Sequence, residues 1–138
     1  MLKRFLRDTR GDMAEAAIVL PVLALLIAAL LSFGMAAWTA NTANNIAQRA
    51  ARAASVVQGD AGARAAVALN TANQLTPLYH YGTYQASVQG GSGPGDAITV
   101  RVTWTAPNWF KGLGVLFGGL FSQDFSGSAT AAFRVEGW

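Results

Sequence analysis

The sequence predicts an α+β protein: a long N-terminal helix, transmembrane and then amphipathic, packed on a small antiparallel sheet of about three strands. Three observations predict it. Residues 16–38 form an unbroken uncharged stretch of 23 residues rich in Leu, Ile, Val and Ala. Residues 39–58 continue at helical spacing, with no Gly or Pro between them and the stretch before. Beyond Pro77 the apolar residues alternate with polar ones, the period of a strand with one buried face.

The first stretch sets the class of protein. Only 12% of the 138 residues are charged, against roughly 25% in an ordinary soluble domain. At about 1.5 Å per residue, residues 16–38 make a helix of roughly 34 Å, enough to cross about 30 Å of hydrocarbon. A cleaved secretory signal has an apolar core of only about 7–15 residues. Lys3, Arg4, Arg7 and Arg10 precede the span, and the next positive residue is Arg49. Positive charge stays on the cytoplasmic side. The expected topology is therefore a cytoplasmic N-terminus and an exported C-terminal domain. Residues 1–11 form a basic cytoplasmic leader, 12–38 a transmembrane helix, 39–75 an extracytoplasmic helical region and 76–138 a small β-rich domain.

Ala43, Ile46, Ala47, Ala50, Ala54 and Val57 recur at spacings of three and four, an apolar stripe that leaves Arg49 and Arg52 to one side. One continuous helix is expected from about Met13 to Gln58. Gly59, Asp60 and Gly62 interrupt it, and a second helix runs from about Ala61 to Leu75, stopped by Pro77. Tyr84–Val88 alternates weakly, and residues 90–95 form a Gly-rich loop. Ile98, Val100, Val102 and Trp104 share one face of a strand. Phe125, Ala129, Ala131, Phe133 and Val135 share one face of the last strand. Three strands cover barely one face of a core, so the amphipathic helix must supply the other half. There is no cysteine, so packing or partners must hold the domain without disulfides.

Chemistry-bearing residues are sparse. The run Gly90–Gly95 lacks the Lys-Ser/Thr of a phosphate loop, and a strand follows where a helix is needed. His80 is the only histidine, and a metal site needs several ligands. The seven acidic residues are dispersed, with no carboxylate pair for acid–base work and no nucleophile elbow around any Ser. The expectation is no enzyme, no cofactor and no metal. The net charge of +3 is small and its basic residues outside the leader are scattered, which does not favour nucleic acid.

Three other features suggest assembly or contact. Ala28, Ser32 and Ala36 are small residues at four-residue spacing, the arrangement by which membrane helices pack closely. Glu15 stands at the lip of the span, where a carboxylate either has a partner, being costly there, or stays among the headgroups, favourably placed at a helix start. Residues 109–121 hold more large apolar side chains than a small sheet can hide. Trp109, Leu113, Leu116 and Leu120 are expected to share a helical face against the sheet. Phe110, Phe117 and Phe121 are then left as a contact surface.

The junction Arg10-Gly11, Glu15 and Ala16-Ala-Ile-Val-Leu-Pro21, with Phe33-Gly34 further along, resembles the N-terminus of TadE-like pseudopilins. These are minor components of the tight-adherence (Tad, type IVb Flp) pilus secretion systems of bacteria. The C-terminal run Trp104-Thr-Ala-Pro107, the Leu/Phe segment, Phe125-Ser-Gly-Ser-Ala-Thr-Ala and Glu136 are similar too. The resemblance implies cleavage between Gly11 and Asp12 by a prepilin peptidase. It also implies pairing of Glu15 with a neighbouring subunit's new amino terminus. The implied partners are the membrane, other pilins or pseudopilins, and the pilus assembly platform. The implied location is the bacterial inner membrane, with a periplasmic domain, or the pilus itself. Two roles stand open: a minor pseudopilin in pilus assembly, or an unprocessed membrane-anchored accessory protein of the secretion machinery.

Overall fold

A computed structural model of the chain describes residues 9–78, 81–111 and 122–136, with side chains described from Met13 onward, Ala14 excepted. The elements are α1 (Thr9–Ser55), α2 (Ala61–Leu75), a short 3₁₀ turn (Thr76–Leu78), and strands β1 (Thr83–Gly90), β2 (Ala97–Ala106) and β3 (Phe125–Arg134). The α+β class and the three-stranded sheet are as the periodicity predicts. His80 lies outside the described residues.

The first helix has 47 residues, about 70 Å at 1.5 Å per residue. It starts before the expected Met13 and stops three residues short of Gln58. The stop has local causes. Ser55 turns its hydroxyl back to donate to the Arg52 carbonyl at 2.9 Å, and Gly59 takes a φ of 143° that ordinary residues avoid. Asp60 then caps α2: its carboxylate accepts the Ala63 N–H at 2.8 Å, meeting one of the four donors a helix start leaves unpaired.

The sheet is antiparallel in the order β1-β2-β3. Register follows the hydrophobic pattern: Val100 faces Val88 on one side and Ala131 on the other, and Val102 faces Ala86 and Ala129. A slip of one residue would turn the whole apolar set to solvent. Ile98, Val100, Val102 and Ala106 are buried. Thr83, Gln85, Ser87, Arg101, Thr103, Ser126, Ser128 and Thr130 are exposed. One face therefore packs and the other is wet.

The helices cover the packed face, α1 over β2 and β3 and α2 beside β1. The core joins Ala43, Ile46, Ala47, Ala50, Ala51 and Ala54 of α1 to Ala68 and Ala72 of α2. It continues into Ile98, Val100, Val102, Ala129 and Val135. The expected stripe is therefore the buried one as far as Ala54, while Val57 falls beyond the end of α1 and is half-buried. Its alanines let the helix backbone approach the sheet closely, and the branched residues of β2 fill the space between.

The far end is tied by backbone bonds. Glu136 N–H donates to the Ser55 carbonyl at 3.0 Å, and Val135 N–H to the Asp96 carbonyl at 2.8 Å. The last carbonyls of α1, which have no partner within the helix, are thus taken up partly by the strand end.

Candidate functional site

The helix changes its surroundings along its length. From Met13 to Trp38 the large apolar side chains Met13, Ile18, Val19, Leu20, Val22, Leu23, Leu26, Ile27, Leu30, Leu31, Phe33 and Trp38 are exposed. From Thr39 onward its inner face is buried under the sheet: Thr39, Thr42, Ala43, Ile46, Ala47 and Ala50 are at most 3% exposed. A buried helix of a soluble core is also apolar, but it is not bare. Here the apolar stretch is the exposed one, and by length and composition α1 can cross a membrane. Pro21 removes one backbone donor inside it, a loss that membrane helices tolerate. The chain thus carries an N-terminal apolar helix, long enough to anchor it in a membrane, that runs without a break into the core of its domain.

The site residues expected from sequence fall along this helix. Gly11 and Asp12 lie within α1 as backbone, their side chains not described. Glu15 is exposed, where a carboxylate at a helix start is favourably placed. Ala28 and Ala36 are half-buried, and Ser32 between them is only 1% exposed. Its hydroxyl has no hydrogen-bond partner among the described residues. The small-residue stripe is therefore on the side of the helix that the chain itself partly covers. Phe33, next to Ser32, meets Phe125 at the start of β3 with ring centroids 5.6 Å apart.

Phe110 is half-buried, while Phe117 and Phe121, like Leu113, Leu116 and Leu120, lie outside the described residues. Trp109 departs from expectation. It does not pack on the sheet but is 61% exposed in a turn. The cause is Asn108, which is buried. Its Oδ1 accepts the Phe110 N–H at 3.0 Å, its Nδ2 donates to the Gln123 carbonyl at 3.0 Å, and its own N–H donates to Asp124 Oδ1 at 3.2 Å. This is an Asx turn that pins both ends of the excursion between β2 and β3 and throws Trp109 outward. Lys111 Nζ adds an ion pair to Asp124 Oδ2 at 3.0 Å. The Asn108 N–H first, then the Lys111 ammonium, hold the Asp124 carboxyl below its ordinary value of 3.8.

Trp109 and Tyr81 reach across to Leu30, Leu31, Gly34, Met35 and Trp38 of α1, and together they line an open groove of about 440 Å³. The groove sits where the exposed part of the helix gives way to the buried part. Among the described residues no three His, Cys, Asp or Glu side chains gather as a metal set would require.

Sequence reasoning missed Asn108 and Arg64. Arg64 is 4% exposed on α2, its Nε donating to the Val57 carbonyl at 3.0 Å and its Nη1 to the Gly91 carbonyl at 2.8 Å. It thereby binds the end of α1 to the β1–β2 hairpin. The Asn after Pro107 was a turn signal that could have been read. Arg64 gave none, since both its partners are backbone carbonyls from other segments.

No curated protein and no solved structure matches the chain. Residues 13–52, less than a third of its length, match the family model described as TadE-like protein. That segment is the part of α1 that runs from the exposed span into the core, and it is the family that Arg10-Gly11, Glu15 and Pro21 resemble.

Proposed function

We propose that the protein is a minor pseudopilin that takes part in assembling a Tad/Flp type IVb pilus or a related secretion system. The observation that carries the reading is the extent of the family match. It covers residues 13–52, the stretch of α1 that is apolar and bare at one end and domain core at the other. A helix that leaves most of its large apolar side chains exposed from Met13 to Trp38 must be covered there by lipid or by other helices. The exposed apolar flank and the exposed carboxylate of Glu15 suit both a resting state in the bilayer and a bundle of like helices. The basic leader favours a cytoplasmic N-terminus and a domain on the far side of the inner membrane.

Removal of residues 1–11 separates Lys3, Arg4, Arg7 and Arg10 from the span. Each would cost about 2.5–3.5 kcal/mol to draw into hydrocarbon, so a subunit that leaves the membrane must lose them. Glu15 would then sit close to the new amino terminus at Asp12 and be free to pair with that of a neighbour.

The second reading, an unprocessed membrane-anchored accessory protein, is favoured by one feature. Three residues separate Gly11 from Glu15, one fewer than is usual at pilin-type sites, and the Gly11–Asp12 bond lies inside α1. Mass spectrometry of the protein from cells with an active prepilin peptidase decides between them. A mature chain starting at Asp12 is expected. An intact Met1–Gly11 segment would transfer the chain to the accessory reading.

A further inference from the structure

We infer that the domain is seated in the lipid interface of the leaflet on its own side, through an aromatic belt made by Trp38, Tyr81 and Trp109. The inference rests on α1 crossing a membrane and adds where the domain stands relative to it.

The three rings come from three separate segments and converge on one groove against α1. They are 61%, 56% and 61% exposed. A soluble surface has no reason to gather large bare aromatics at one end while its open sheet face carries mainly Thr, Ser, Gln and Arg. Trp and Tyr are the residues that concentrate where hydrocarbon meets headgroups, because each has an apolar body and a polar edge.

Height along the helix fixes the occupant. With Glu15 held at the opposite headgroups, about 30 Å of hydrocarbon at 1.5 Å per residue ends near Met35. Trp109 and Tyr81 line the groove beside Leu30, Leu31 and Met35, and Phe125 meets Phe33. The lower rim of the domain therefore overlaps the last turns of the span instead of standing clear of it. The groove is continuous with the lipid-facing surface of the helix, so the acyl chains and headgroups that surround that surface fill it. A second copy of the chain is the competing occupant.

Depth-dependent fluorescence quenching in full-length protein tests this. The protein is reconstituted in phosphatidylcholine vesicles with bromines placed either near the headgroup or near the chain end. Trp109 is made the only tryptophan by changing Trp38, Trp104 and Trp138 to Phe. Should loss of Trp104 unfold the sheet, the Trp109 signal is read as the difference between wild type and Trp109→Phe. An Ile27→Trp variant in the same background, with Trp109 also changed to Phe, reports the span. Trp109 should lose more emission to shallow bromines than to deep ones, at every protein-to-lipid ratio, and the Ile27→Trp variant the reverse. Deep quenching at residue 27 with none at Trp109 would overturn the interfacial seat while leaving the span intact. Quenching of Trp109 that fades as the protein is crowded would overturn it in favour of a second copy. No quenching at residue 27 would remove the span itself, and the seat with it.

Discussion

Arg64 and Asn108 do at residue scale what disulfides do in many small domains: they join segments that are far apart in sequence. Arg64 is buried with two backbone carbonyls as its acceptors. Arg64→Ala should cost on the order of 3 kcal/mol, since hydrogen bonds to a charged donor are strong and the carbonyls are left without a partner. Chemical denaturation in detergent measures it. Arg64→Lys should recover only part, because one ammonium cannot reproduce the guanidinium's two directed bonds. Loss of less than about 1 kcal/mol in Arg64→Ala would show that water replaces the side chain.

Asp124 makes a pH-dependent contribution. Its carboxyl is held below 3.8 by the Asn108 N–H and by Lys111, so the charged form is favoured in the folded state. That stabilisation is complete at neutral pH. It begins to go as pH falls below the ordinary value, and is lost once pH passes below the folded-state value. An NMR titration should find the Asp124 carboxyl below the ordinary range, and Lys111→Ala should raise it partway. An unchanged midpoint in Lys111→Ala would remove the ion pair from the account. None of these partners could be paired from sequence, because each joins groups from separate segments that only the fold brings together.

At the scale of elements, most of the fold was legible. Residues 39–55 carried their burial in their spacing, and β2 carried its register in strict alternation, because each pattern has a single geometric solution. Pro107-Asn108 signalled a turn, but the outward direction of Trp109 was not legible. Apolar composition says that a segment will be covered, but not by what, and a single Asn side chain redirected the chain. Gly127 was unreadable for a similar reason. It lies opposite Trp104 in the β2–β3 register, and a Cβ there would stand 2.7 Å from the indole. Gly127→Ala should therefore push the ring off the sheet and cost about 1–3 kcal/mol, as overpacking does. A shift in the denaturation midpoint, together with a change in Trp104 near-UV circular dichroism, would register it. A midpoint equal to wild type would mean that the ring moves freely.

On the scale of the whole molecule, the anchor and the domain are one object. Thr39–Ser55 cannot leave the sheet without opening the core, and Met13–Trp38 is its direct continuation. Whatever moves the span, in a bilayer or into a bundle of helices, moves the domain as a rigid extension. The central claim is therefore that α1 lies in lipid up to about Trp38 and outside it, on the far side from the leader, beyond Thr39. The chain has no cysteine, so single cysteines can be placed at Leu26, exposed on the span, and at Asn44, exposed on the domain side. Each full-length variant is treated with a membrane-impermeant maleimide in spheroplasts, before and after solubilisation in denaturant. The account predicts that Asn44→Cys reacts at once and Leu26→Cys only after solubilisation. Prompt reaction of Leu26→Cys in intact membranes, or protection of Asn44→Cys until lysis, would contradict it.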